Sequence, residues 1–293
     1  MAQAPVLVRR APVIAPMAAL MTLLALMTLV ACGTPKEALN PAQLRVAQQA
    51  QLASRALSRG DLALARQNYE QALAAAESVE DFALAGSMLI NLAQVQARAG
   101  DGGGAQARLD RIVAAPQRYG QPLAARASLR KALMLVDQQQ PSEAARWADT
   151  ALAACPAPCE LAATVANLRA QLALQQGDTG RALQQAQLAL QEAERLAQQS
   201  EQVNALHWIG RAQSLAGQTD AATAALARAL ALAQRLGLAD RVALTLVESG
   251  DNERRAGRST TAREFYERAL DVYTALGDKP ALEQLRERLA SAR

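Results

Sequence analysis

The chain has 293 residues, of which 51% are apolar but only 3% aromatic. Most of it is Ala, Leu, Gln, Arg and Glu, the side chains that lose least freedom in a helix, whereas β-branched and aromatic residues are too sparse, and too seldom alternate with polar ones, to build a sheet. The expected fold class is therefore all-α. The net charge is +4, and it falls to +2 (29 basic against 27 acidic groups) once the first 31 residues, which hold Arg9 and Arg10 and no acid, are set aside. The remaining arginines interleave with acids along each helical stretch instead of forming a basic stripe with aromatic partners, so no nucleic-acid partner is expected.

In chain order, Arg9 and Arg10 precede an apolar run from Met17 to Val30 and then Ala31-Cys32-Gly33. Fourteen helical residues rise about 21 Å, short of the ~30 Å hydrocarbon core, which predicts a secretory signal and not a lasting span. Leu29-Val30-Ala31-Cys32 resembles the lipobox of bacterial lipoproteins. That resemblance implies cleavage of residues 1–31 as a signal peptide, a lipid on Cys32, and, with Gly33 where an Asp would mark inner-membrane retention, an outer-membrane lipoprotein facing the periplasm. The alternative is an ordinary signal peptide with an incidental Cys. Residues 32–40 would form a tether with a reach of roughly 30 Å at most.

Beyond Asn40 the chain repeats. Gly60-Asp61 is followed by Ala65, Tyr69, Ala72 and Leu73, and the pattern returns at Gly100, Gly177, Gly217 and Gly257, with Gln139 standing where a Gly is expected; the successive spacings are 40, 39, 38, 40 and 40. A Gly supplies the left-handed turn that ends one helix, a following Asp can cap the next, and Ala at the crossing points lets two helices approach closely. One such hairpin cannot bury its own apolar face, so the units must stack and their ends need polar caps. The helix from Lys279 to Ala292, with Leu282, Leu285 and Leu289 inward and Glu283, Arg286, Glu287 and Arg288 outward, suits that role.

Leu206, Ile209 and Gly210 before Gly217, and Leu89, Leu92 and Ala93 before Gly100, resemble the tetratricopeptide repeat, in a variant with a period near forty residues. The resemblance implies a right-handed α-α superhelix of six hairpins over residues 41–276, closed by a capping helix in 277–293. Hairpin three lacks its Gly, and hairpin four has Arg169 where Leu is usual, so both are expected to be distorted.

Four features invite a chemical reading. Cys155 and Cys159 flank Pro156-Ala157-Pro158 and should pair in an oxidising compartment; free thiols or a metal site are the alternatives, the latter disfavoured because His207 is the chain's only His. In the tetratricopeptide family the first helix of each hairpin lines the concave groove. The resemblance then places Thr164, Asn167, Gln171, Asn204, His207, Arg211, Ser214, Asp251 and Arg254 there, a row able to hold an extended peptide, the alternative being a hydrated inner surface with no ligand. Glu248-Ser249 matches the Glu-Ser pair of lytic transglycosylases but lies inside a repeat helix. Gly102-Gly103-Gly104 has neither a preceding strand nor a following Lys-Ser/Thr, and reads as a hairpin turn and not a phosphate loop.

The resulting expectation is a non-catalytic protein-protein adaptor of the envelope, without cofactor or metal, assisting an outer-membrane, pilus, secretion or cell-wall complex. The alternatives are the superhelical part of a peptidoglycan-active enzyme and a peptide or ligand sensor.

Overall fold

The computed structural model describes residues 40–291; the expected signal peptide, the lipobox-like segment with Cys32 and the expected tether up to residue 39 lie outside them. Among the described residues there are fourteen helices and no strand. They pair as α1 (Pro41–Ser58) with α2 (Leu62–Glu77), α3 (Phe82–Arg98) with α4 (Gly102–Val113), α6 (Gln121–Asp137) with α7 (Pro141–Ala154), α8 (Ala162–Gln175) with α9 (Thr179–Arg195), α10 (Gln199–Leu215) with α11 (Thr219–Arg235), and α12 (Ala239–Arg255) with α13 (Ser259–Leu276). The short α5 (Pro116–Tyr119) is inserted between hairpins two and three, and α14 (Lys279–Ser291) closes the array. None of the described helices is long and apolar enough to cross a membrane.

The turn inside each hairpin has one design. In the first, Gly60 takes φ +78°, its N–H donates to Leu57 O (3.1 Å), and the Asp61 N–H reaches back to Ala56 O (3.0 Å), which satisfies carbonyls that a helix end would otherwise orphan. The Asp61 side chain then accepts from Leu64 N–H (3.0 Å) and caps α2; Asp101 and Asp178 do the same for α4 and α9. Hairpin three keeps this shape without glycine. Gln139 itself adopts φ +58°, and Gln140 N–H donates to Leu135 O at 2.8 Å.

Small residues bring the paired helices together. Ala65, Ala72, Ala105, Ala144, Ala148, Ala182, Ala189, Ala222, Ala229, Ala262 and Ala269, all on second helices, have no exposed surface. Two glycines on first helices are tighter still: a Cβ on Gly210 would lie 2.5 Å from Leu226 Cγ, and one on Gly250 would lie 2.4 Å from Tyr266 Cε1. Buried apolar residues fall into a series of clusters along the array. The first spans hairpins one and two and runs into α6, the next joins α6, α7 and α8, and another unites α12, α13 and α14. This is the packing of a stack and not of a single-centred bundle.

Successive first helices touch one another, whereas successive second helices do not meet to a comparable degree. The row of first helices is therefore the shorter, inner wall of the curve.

Three expectations need correction. Hairpin three is not distorted at its turn, because the Gln139 backbone accepts the left-handed conformation. Nor does Arg169 disturb hairpin four: its guanidinium donates to Asp149 Oδ1 on α7 at 2.5 Å. The irregularities lie instead in the joints on either side of hairpin three: α5 fills the one before it, and in the one after it residues 155–161 replace a tight turn and a disulfide joins Cys155 to Cys159 across a Cα separation of 5.4 Å. In α14, Leu285 is buried as expected, but Arg288 turns inward to the Asp251 carboxylate.

Candidate functional site

The inner wall has a simple register. In three first helices one small residue, Ala170, Gly210 or Gly250, packs against the second helix, and the expected groove positions lie six and three residues before it and one and four after it. Thr164, Asn167 and Gln171 on α8, Asn204, His207, Arg211 and Ser214 on α10, and Asp251 and Arg254 on α12 occupy these places.

Several of them are already engaged with a neighbouring helix. Asn167 is buried, and its amide donates to Glu201 Oε2 on α10 (2.8 Å); Asn204 donates to the same oxygen at 3.3 Å. Arg211 pairs with Glu248 on α12 (3.4 Å), and buried Ser214 accepts from Arg255 Nη1 (2.9 Å). Asp251, also buried, accepts from Tyr266 OH at 2.7 Å, meets Arg254 at 4.0 Å and takes Arg288 from α14. The row thus divides. Thr164, Gln171, Asn204, His207, Arg211 and Arg254 keep exposed or half-exposed surface, while Asn167, Ser214 and Asp251 tie one hairpin to the next.

Burial sets the protonation of this region. His207 stacks edge-on to Trp208 with ring centroids 5.0 Å apart; partial desolvation first, and then the charges of Arg211 and Arg241, lower its pKa, so it is neutral at pH 7. Tyr266 is pushed up to about 12, by burial and then by its bond to Asp251. Burial raises the Glu248 carboxyl, and Arg211 opposes the shift.

A carboxyl whose pKa rises on folding binds its proton more tightly in the native chain than in the unfolded one. Stability then falls as pH climbs from the unfolded value of about 4.3 through the folded one, and the penalty persists at neutral pH. Glu248→Gln is accordingly expected to raise the thermal midpoint at pH 7 and to lose that advantage towards pH 4. A lower midpoint at pH 7 would mean that the Arg211 pair outweighs the burial.

Sequence reasoning missed Glu201, Arg255 and Arg288 as partners of the row. The available signal was complementary polarity at about one repeat of spacing. Among the described residues no three His, Cys, Asp or Glu side chains come together as metal ligands.

Stacked hairpins, glycine-turned joints and an inner wall made by first helices define an α-solenoid of the tetratricopeptide type. Residues 201–275 match the family model described as tetratricopeptide repeat. No curated protein matches it in sequence. Among solved structures it is similar to BtubC (BKLC) from P. vanneervenii, with 19% identity, 82% of this chain and 93% of that chain covered, and a TM-score of 0.56. It is also similar to a Rap protein complexed with competence and sporulation factor, with 15% identity, 87% and 76% covered, and a TM-score of 0.60. A third likeness is to the Cut9-Hcn1 hetero-tetramer of the APC/C, with 15% identity, 86% and 42% covered, and a TM-score of 0.63.

Proposed function

We propose that this chain is a non-catalytic scaffold whose inner wall holds a partner protein or peptide, and that a lipid on Cys32 keeps it on the periplasmic face of the outer membrane. The observation that carries the binding half is the row of first helices in contact with one another, on which Thr164, Gln171, Asn204, Arg211 and Arg254 retain accessible surface. Side chains of this kind serve the backbone amides and charged ends of an extended segment. A Rap protein of similar fold, solved in complex with competence and sporulation factor, supports the same use of the fold. The lipobox-like Leu29-Val30-Ala31-Cys32 supports the anchor.

The wall-enzyme alternative needs a carboxyl that a glycan strand can reach, and Glu248 is only 7% exposed and paired with Arg211.

The binding half is tested by photo-crosslinking in intact cells. Probes at Gln171 or Asn204 are expected to give a discrete adduct, and a probe at the outward Glu264 is expected to give none; adducts from Glu264 alone would overturn the reading. The anchor is tested by feeding cells a fatty-acid analogue. Labelling of the chain that disappears in Cys32→Ser is the expected result, and an unlabelled wild-type chain refutes the lipid.

A further inference from the structure

On the first helices of the last three hairpins every arginine has a partner within the chain: Arg169 has Asp149, Arg211 has Glu248, Arg241 has Asp240, Arg254 has Asp251 and Arg255 has Ser214. Upstream the balance differs. A recess of about 350 Å³ opens on the inner wall between hairpins two and three, lined only by the first helices α3 and α6 through Gln94, Ala97, Arg98, Arg130, Leu133, Met134 and Asp137. Arg126, one turn before Arg130 on α6, adds a third guanidinium. Among the described residues none of these three arginines forms an ion pair within 4.0 Å, and Asp137 is the one acid in the lining. Arg130 is half-buried, and its pKa is lowered by that burial and then by the like charges of Arg98 and Arg126.

We propose that this recess docks an acidic, extended segment of a partner protein, with carboxylates on Arg98, Arg126 and Arg130 and an apolar side chain against Leu133 and Met134. The inference rests on the scaffold reading and assigns it a specific place. The planar guanidinium fork matches a carboxylate with two parallel hydrogen bonds, and a bound anion relieves the repulsion between Arg98 and Arg130 in the lining and the neighbouring Arg126. The apolar floor selects a segment that mixes Glu or Asp with Leu-like residues over a bare polyanion.

The test uses the full chain in detergent and a fluorescein-labelled, C-terminally amidated peptide of alternating Glu and Leu, read by fluorescence anisotropy. A peptide with Lys in place of Glu, sodium tripolyphosphate as competitor, and phosphatidylglycerol vesicles are run beside it. Saturable binding of the Glu peptide is expected, at least tenfold tighter than that of the Lys peptide and weakened by salt. The variant R98Q/R126Q/R130Q should lose at least tenfold in affinity with an equal or higher thermal midpoint, since like charges are removed. Arg126→Gln alone, at an exposed position, should lose about threefold and guards against misfolding of the triple variant.

Unchanged binding in these variants, equal binding of the Lys peptide, or capture of vesicles or tripolyphosphate without the Glu peptide overturns the proposal. If crosslinks still form from Gln171 in any of those cases, the scaffold reading survives and only this site is lost. If those crosslinks are absent too, both fall.

Discussion

Tyr266→Ala is expected to destabilise the C-terminal end of the solenoid by about 3–5 kcal/mol, the usual cost of deleting a buried aromatic ring. The ring has no exposed surface, packs on Gly250 and lies within the cluster that unites α12, α13 and α14. Gly250→Ala should cost about 1–3 kcal/mol by overpacking, because its new methyl would sit 2.4 Å from Tyr266 Cε1. The two effects should not add. With the ring removed, the alanine methyl fills part of the void and gains helix propensity of up to about 1 kcal/mol over glycine, so the double variant should be no less stable than Tyr266→Ala alone. Urea titration of the four proteins measures this directly, and strict additivity would contradict the close approach of α12 and α13.

Asp251→Ala should be nearly as damaging, at about 3 kcal/mol, the lower end for breaking a buried ion pair. Its carboxylate is buried, accepts from Tyr266 OH and holds Arg288 of the capping helix. Removing it strands a buried hydroxyl, while Arg288, at 40% side-chain exposure, can turn to water, which keeps the loss from being larger. The companion Tyr266→Phe, which removes only the hydroxyl, should cost no more than about 1.5 kcal/mol. Equal losses in the two variants would show that the Asp251–Arg288 pair contributes nothing, and the cap would then be held by its apolar face, Leu282, Leu285 and Leu289.

The turns were the most legible part of the fold, since a recurrent Gly-Asp pair states both how one helix ends and how the next is capped. The exception is instructive. Gln139 looks like a broken repeat, yet a left-handed non-glycine costs only about 1–2 kcal/mol, and the helices packed on either side over-determine the turn. What the repeat pattern did not carry was everything set by a neighbour a full period away. Gly250 reads as a helix weakness until Tyr266 is seen against it. Asn167, Ser214 and Asp251 were read as groove residues because the inner register is a property of one helix, whereas their partners Glu201, Arg255 and Arg288 belong to the next. The short α5 follows from Pro116 and Gly120, a start and a stop too close together to register as an element.

The candidate site was legible in position and partly in charge. The stretches that form α3 and α6 carry Arg98, Arg126, Arg130 and Lys131 against a single acid, Asp137, so these arginines are not interleaved with acids as the rest of the chain suggested. What only the packing shows is that Lys131 is taken by Asp110, which leaves the three arginines.

A stack of hairpins that touch only their neighbours must transmit damage only locally. Amide hydrogen exchange on Tyr266→Ala tests this most directly. The account predicts a large loss of protection in α12, α13 and α14, a smaller one in α10 and α11, and unchanged exchange in α3 and α6. Uniform loss of protection from α1 to α14 would contradict it, because only a single cooperative core spreads one lost ring over the whole chain.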